Sequence, residues 1–195
     1  MKRAAWVGRG VRLVTFACCT TLCACETTVE TSDGRRMPPP PHAGPVTPES
    51  APLNAIALMM GPKPLDTDGN SRPDTIQLEA YLFARPYPAP QFRSGTFEFA
   101  IYRTGEAGPP DQPAEGAIRT WTLPADQLEG VRSRSLIGAC YAISISLLEN
   151  GGTDAIGTHA VDLTARFFPS DGGAPVSASG VQSLSMSSSA LERGR

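Results

Sequence analysis

Apolar and polar residues alternate with a period of two in several stretches of residues 53–186. In TIQLEAYLF (75–83), Ile76, Leu78, Ala80 and Leu82 share one face, and Gln77, Glu79 and Tyr81 the other. GTFEFAIYRT (95–104) repeats the pattern with Phe97, Phe99 and Ile101. CYAISISLL (140–148) aligns Tyr141, Ile143, Ile145 and Leu147. THAVDLTARFF (158–168) turns Val161, Leu163, Ala165 and Phe167 inward and Asp162, Thr164 and Arg166 outward. Alternation of this length predicts half-buried strands. LNAIALMM (53–60), AIRTWTL (117–123) and VSASGVQSLSM (176–186) read as shorter strands, for about seven in all.

The separators are equally plain. RPYPAPQF (85–92) carries three prolines, which a central ladder does not accept. GEAGPPDQPAEG (105–116), ENGG (149–152) and SDGGAP (170–175) are turns or loops by composition. PADQLEG (124–130) has room for one helical turn, with Asp126 early and Gly130 as its stop. Strands polar on one face build antiparallel sheets that pack face to face. The expected fold is all-β: a single immunoglobulin-like antiparallel β-sandwich over 53–186, with a C2-like or jelly-roll sandwich as the alternative. The Cys…Trp…Cys spacing of true immunoglobulin domains is missing, so this likeness is one of architecture.

The first 52 residues follow a different logic. Lys2, Arg3, Arg9 and Arg12 precede a short apolar run, Leu13 to Leu22, and then small residues. That is the layout of a secretory signal over 1–24, and the run is too short for a spanning helix. It ends in Leu22-Cys23-Ala24-Cys25, which resembles the lipobox of bacterial lipoproteins. The resemblance covers only residues 1–25. It implies lipidation of Cys25 after cleavage, anchoring to a membrane, and a place in the cell envelope, on the outer membrane where there is one. Glu26, rather than Asp, follows the cysteine. A diacylglycerol and an amide-linked chain bury enough CH₂ groups, at about 0.8 kcal/mol each, for a stable anchor, which one chain alone does not give. Residues 25–52 join the anchor to the sandwich. Pro38 to Pro41 and few large apolar residues make this a Pro-rich tether rather than part of a core. Residues 187–195 form a Ser-rich tail.

Processing changes the charge. The chain is formally −2, and residues 1–24 hold four cations and no acid, so the remainder is −6. That balance argues against nucleic acid as a partner. Four of the 5 cysteines lie in the first 25 residues, leaving Cys140 without an intrachain partner. Cys140 reads as a small buried hydrophobe.

Candidate chemistry is sparse. His159 has Asp154 and Asp162 nearby in sequence, but no G-x-S-x-G elbow accompanies it, and one histidine makes no His-based zinc site. Glu79 and Glu98 could pair for glycoside hydrolysis, yet both alternate with apolar residues and should face water. Tyr81, Phe83, Tyr87, Phe92 and Trp121 would form a protein- or glycan-binding patch if exposed.

LDTDGNSRPDTI (65–76) is the richest stretch. It resembles calcium loops of the dockerin, EF-hand-like and thrombospondin type 3 kind. The resemblance implies ligands from Asp66, Asp68, Asn70 and Asp74, with the Arg72 carbonyl between the last two. Ser71 stands where such loops carry Gly, and Gln77 where they carry a bidentate Glu, with Glu79 displaced by two. The other reading is an Asx-rich turn that satisfies its own backbone, with no cofactor.

The chain as a whole reads as an envelope-anchored lipoprotein with a non-catalytic binding or structural sandwich, not an enzyme. An accessory subunit of an envelope or secretion complex is one alternative. An extracytoplasmic hydrolase is the other.

Overall fold

A computed structural model describes residues 45–187, apart from 110, 111 and 113. The chain divides into two compact units, 1–42 and 43–195, and the first lies outside the described residues. The signal segment, Cys25 and most of the Pro-rich segment therefore also lie outside them, as do residues 188–195.

Nine strands form among the described residues: β1 (Ala55–Met60), β2 (Thr75–Phe83), β3 (Gly95–Arg103), β4 (Arg119–Leu123), β5 (Arg132–Arg134), β6 (Ala139–Ser146), β7 (Ala160–Pro169), β8 (Val176–Ser177) and β9 (Gln182–Ser185). One short helix, α1 (Ala125–Gly130), sits where the sequence allows a single turn. A 3₁₀ turn covers Glu149–Gly151. β5 is a strand the alternation does not announce, and the closing strand is broken in two at Ser179-Gly180, where Gly180 has φ +84°.

The strands make two antiparallel sheets. One has the order β1-β2-β6-β5; the other runs β4-β3-β7, with β8 and β9 both on the far edge of β7. Lettered A to G, these are an A-B-E-D sheet and a C′-C-F-G sheet. That is the immunoglobulin-like order rather than a C2-like or jelly-roll one. An isolated parallel bridge joins Ile56 of β1 to Ala178, just after β8.

The inward faces match the periodicity. Ile76, Leu78, Ala80, Leu82, Tyr141, Ile143, Ile145 and Leu147 of one sheet pack against Phe97, Phe99, Ile101, Val161, Leu163, Ala165 and Phe167 of the other. Phe97 is central: its ring lies 5.5 Å from Tyr141, edge-on, and 4.8 Å from Phe167. Such contacts add about 0.5–1.5 kcal/mol each beyond the area they bury. Two polar aromatic atoms are satisfied by backbone. Trp121 Nε1 donates to the Ser146 carbonyl at 3.0 Å, tying one sheet to the other. Tyr141 Oη donates to the Arg93 carbonyl at 2.6 Å and accepts from the Arg93 N–H at 2.8 Å.

The outward faces differ from expectation in three places. Tyr81 is buried, its hydroxyl bonded to Glu79 and Ser135. Trp121 is also buried, and Phe92 packs against the core, so the five aromatics do not form an exposed patch. Asp162 is 3% exposed; one oxygen accepts the Gly105 N–H at 2.8 Å and the other the Ser183 hydroxyl at 2.6 Å. That carboxylate pins the turn after β3 and the strand β9 to the N-terminal part of β7. The residues before β1 are attached as well. Thr47 Oγ1 donates to the Ala89 carbonyl at 3.2 Å, and an Arg93 guanidinium N–H donates to the Ala51 carbonyl at 2.7 Å. Residues 47 and 51 are thus tied to the β2–β3 loop.

Candidate functional site

The Asp-rich loop connects β1 to β2 and folds largely on its own side chains. Asp66 Oδ1 accepts the N–H groups of Gly69 and Asn70 at 2.8 and 3.2 Å, and its Oδ2 accepts that of Ser71 at 2.8 Å. Asp68 holds the Asn70 N–H at 3.1 Å and the Asn70 side-chain amide at 2.9 Å. Asn70 Oδ1 takes the Arg72 N–H at 2.8 Å. Each is an Asx contact of the kind short polar side chains make in turns. Gly69 and Ser71 both have positive φ, +77° and +69°. Ser71 therefore adopts a left-handed conformation of the kind glycine holds most easily, at a cost of about 1–2 kcal/mol for an L-residue.

Asp74 is the hub. It is fully buried, and it is the last loop residue before β2. Thr67 gives it both an N–H, at 2.6 Å, and a hydroxyl, at 2.7 Å. The Asp68 N–H, at 3.4 Å, and the Thr75 hydroxyl complete the set. Burial pushes this carboxyl up. The hydrogen bonds from Thr75, Thr67 and the Asp68 N–H outweigh it and hold the group below its ordinary value. Leu65 closes the base of the loop through backbone bonds with Asp74 and Thr75.

Two contacts reach the β6–β7 loop. The Leu147 N–H donates to the Asp74 carbonyl at 2.6 Å. The Asn70 amide donates to Asp154 Oδ2 at 2.6 Å, joining the β1–β2 loop to the β6–β7 loop. The same two loops border an open depression that includes Arg72, Ile156, His159 and Met186. His159 is exposed at its rim, and Asp154 is engaged by Asn70. Asp162 faces Gly105 and Ser183. Neither aspartate forms a hydrogen-bonded pair with His159 among the described residues. Glu79 and Glu98 lie on the outer faces of opposite sheets, with Glu98 3.5 Å from Arg166 and Glu79 on the Tyr81 hydroxyl. They cannot flank one scissile bond.

The fit to calcium can be tested on atoms. One oxygen from each of Asp66, Asp68 and Asp74 lies within 4.8 Å of the others, a spread that one cation with ligands at about 2.3–2.6 Å would tolerate. The lone pairs tell the other way. A carboxylate offers about four acceptor sites. Asp74 has four donors on it and Asp66 three. Glu79 is turned away onto Tyr81, so it does not stand in for the missing bidentate ligand. In this arrangement the loop's own N–H and O–H donors occupy most of the acceptor sites of Asp66 and Asp74. Cys140 is a free, buried cysteine, as its position on a strand implied.

Compared with protein-family models and with curated proteins, the chain matches none at a significant level.

Proposed function

We propose that this chain is an envelope lipoprotein: a lipid on Cys25, a Pro-rich segment, and an immunoglobulin-like sandwich that acts as a non-catalytic binding or structural module. The observation that carries the anchor is Leu22-Cys23-Ala24-Cys25 behind a basic and then an apolar segment. The non-catalytic reading is supported by where the titratable groups point. Glu79 and Glu98 are on opposite faces, Asp154 and Asp162 are committed to Asn70 and to Gly105 with Ser183, and the acids of the β1–β2 loop hold backbone. These groups do structural work and do not converge on a cleft. The β1–β2 loop belongs to the same reading as an Asx turn rather than a metal centre.

Cells fed a fatty-acid analogue test the anchor. The wild-type chain should carry the label and fractionate with membranes. Cys25→Ser should lose the label and either leave the membrane or keep its signal segment. A wild-type chain that stays on membranes without label would overturn the proposal.

A further inference from the structure

The β5–β6 hairpin ends in a tip whose two apex side chains take no part in closing the turn. Ser135 N–H donates to the Gly138 carbonyl at 2.9 Å, and Ser135 Oγ accepts the Ile137 N–H at 3.1 Å. Gly138 supplies the φ of +135° that the turn needs. Backbone and one serine therefore close it. Yet the two residues at its apex are aliphatic. Leu136 is fully exposed and Ile137 is 48% exposed, where turn chemistry favours small polar residues. The flanking strand β5 is Arg-Ser-Arg, exposed throughout. Arg132 is paired with Glu129 and stacks over Phe92. Arg134, next to the tip, has no carboxylate partner among the described residues, nor has Arg85 at the end of β2.

The topology fixes which way this tip faces. β1 starts at Ala55 opposite Phe83, and β6 starts at Ala139 beside Arg134, so the chain enters the sandwich at the hairpin's end. Side-chain contacts agree. Thr47 and Ala51 hold the loop of Ala89 and Arg93, and Pro90 of that loop borders Gly138. Cys25 precedes Pro45 by 20 residues, a contour of at most roughly 70 Å. An anchored chain thus has its hairpin tip on the end from which the anchor leaves.

We propose that the tip is a membrane contact: Leu136 and Ile137 enter the interface of the bilayer that holds the Cys25 lipid, and Arg134 meets its phosphate headgroups. This rests on the lipoprotein reading. Two aliphatic side chains and one or two arginines bind a bilayer weakly from free solution. Once the lipid is inserted, the second contact is intramolecular and is favoured over the same contact from free solution. The contact then sets how the sandwich stands on the membrane, with the β1–β2 and β6–β7 loops at the far end.

Hydrogen exchange on the mature lipidated chain in vesicles of phosphatidylcholine and phosphatidylglycerol tests this. The reference is the mature Cys25→Ser chain in solution. Exchange across 132–138 should slow roughly tenfold on vesicles, while 104–109 at the other end stays unchanged. The double variant Leu136→Ser, Ile137→Ser should stay anchored and lose the slowing. Equal exchange at 132–138 with and without vesicles would overturn the proposal, as would slowing that appears only on native membranes containing protein. Intact mass reads the lipid separately. Should Cys25 carry none, the lipoprotein reading fails, and the same chain coupled through Cys25 to a maleimide phospholipid still decides on the tip.

Discussion

At the scale of single residues, Asp74 carries the most. It organises Thr67, Asp68 and Thr75 around one buried carboxylate at the start of β2. Because its folded pKa lies below the ordinary value of 3.8, its stabilisation is complete above that value and is lost as the pH falls through it toward the lower folded one. Asp74→Asn should cost about 1–3 kcal/mol near neutrality, since it leaves buried donors poorly met. The deficit relative to wild type should shrink on acidification, and urea denaturation at pH 7 and near pH 3 checks both. A deficit that is constant with pH would mean the carboxylate's charge is not what matters. The same inventory of donors leads to an expectation about calcium. With Asp74 saturated and Glu79 held by Tyr81, melting curves in millimolar calcium and in chelator should coincide. A bound ion at ten times its dissociation constant would add about 1.4 kcal/mol, which such curves resolve, and a shift that vanished in Asp68→Asn would restore the calcium loop.

At the scale of elements, close approach matters more than composition. Gly95 opens β3 opposite Pro169, and a Cβ there would stand 2.4 Å from Phe167 Cζ and 2.5 Å from the Phe168 carbonyl oxygen. The ring can move, but the backbone oxygen cannot without shifting β7. Gly95→Ala should therefore destabilise by about 1–3 kcal/mol, read as a lower urea midpoint at unchanged m-value. Strands long enough to alternate were legible in the sequence: β2, β3, β6 and β7 lie where Ile76, Phe97, Tyr141 and Val161 begin their period-two runs. β5 was not, because Arg132-Ser133-Arg134 has no apolar member, and pairing with β6 alone makes it a strand. Asp162 alternates as a solvent residue. Its partner Gly105 comes from a turn 57 positions away, which no local pattern reports. Tyr81 is hidden for a similar reason, its hydroxyl meeting Ser135 from the β5–β6 hairpin. The spacing of Asp66, Asp68, Asn70 and Asp74 was visible, but the choice between metal and turn was not. That choice depends on which donors each oxygen already holds, and Asp154 reaches Asn70 from 84 positions away.

At the scale of the whole molecule, the pairing of β3 decides how the sandwich responds to a cut. The β3–β4 loop, 105–116, has the composition a protease favours, yet β3 lies between β4 and β7 in its sheet. Its register with β7 runs from Gly95–Pro169 to Arg103–Val161. The core also crosses the loop: Phe97 meets Phe167 and Tyr141, and Trp121 donates to Ser146 in the other sheet. Limited proteolysis should thus leave one resistant body. Its N-terminal limit should fall near Pro45 rather than residue 53, because Thr47 and Ala51 are tied to the β2–β3 loop. Arg35-Arg36, in the Pro-rich segment, is the natural tryptic point upstream. A nick within 105–116 should yield two peptides on a denaturing gel that still elute together in gel filtration. The pieces would be held by the buried surface and ladders of both sheets rather than by the peptide bond. Elution as two separately stable fragments would contradict a single core. A resistant limit at residue 53 would show that the Thr47 and Ala51 contacts do not hold the segment before β1 in solution. It would also weaken the argument that this segment delivers the anchor to the hairpin's end.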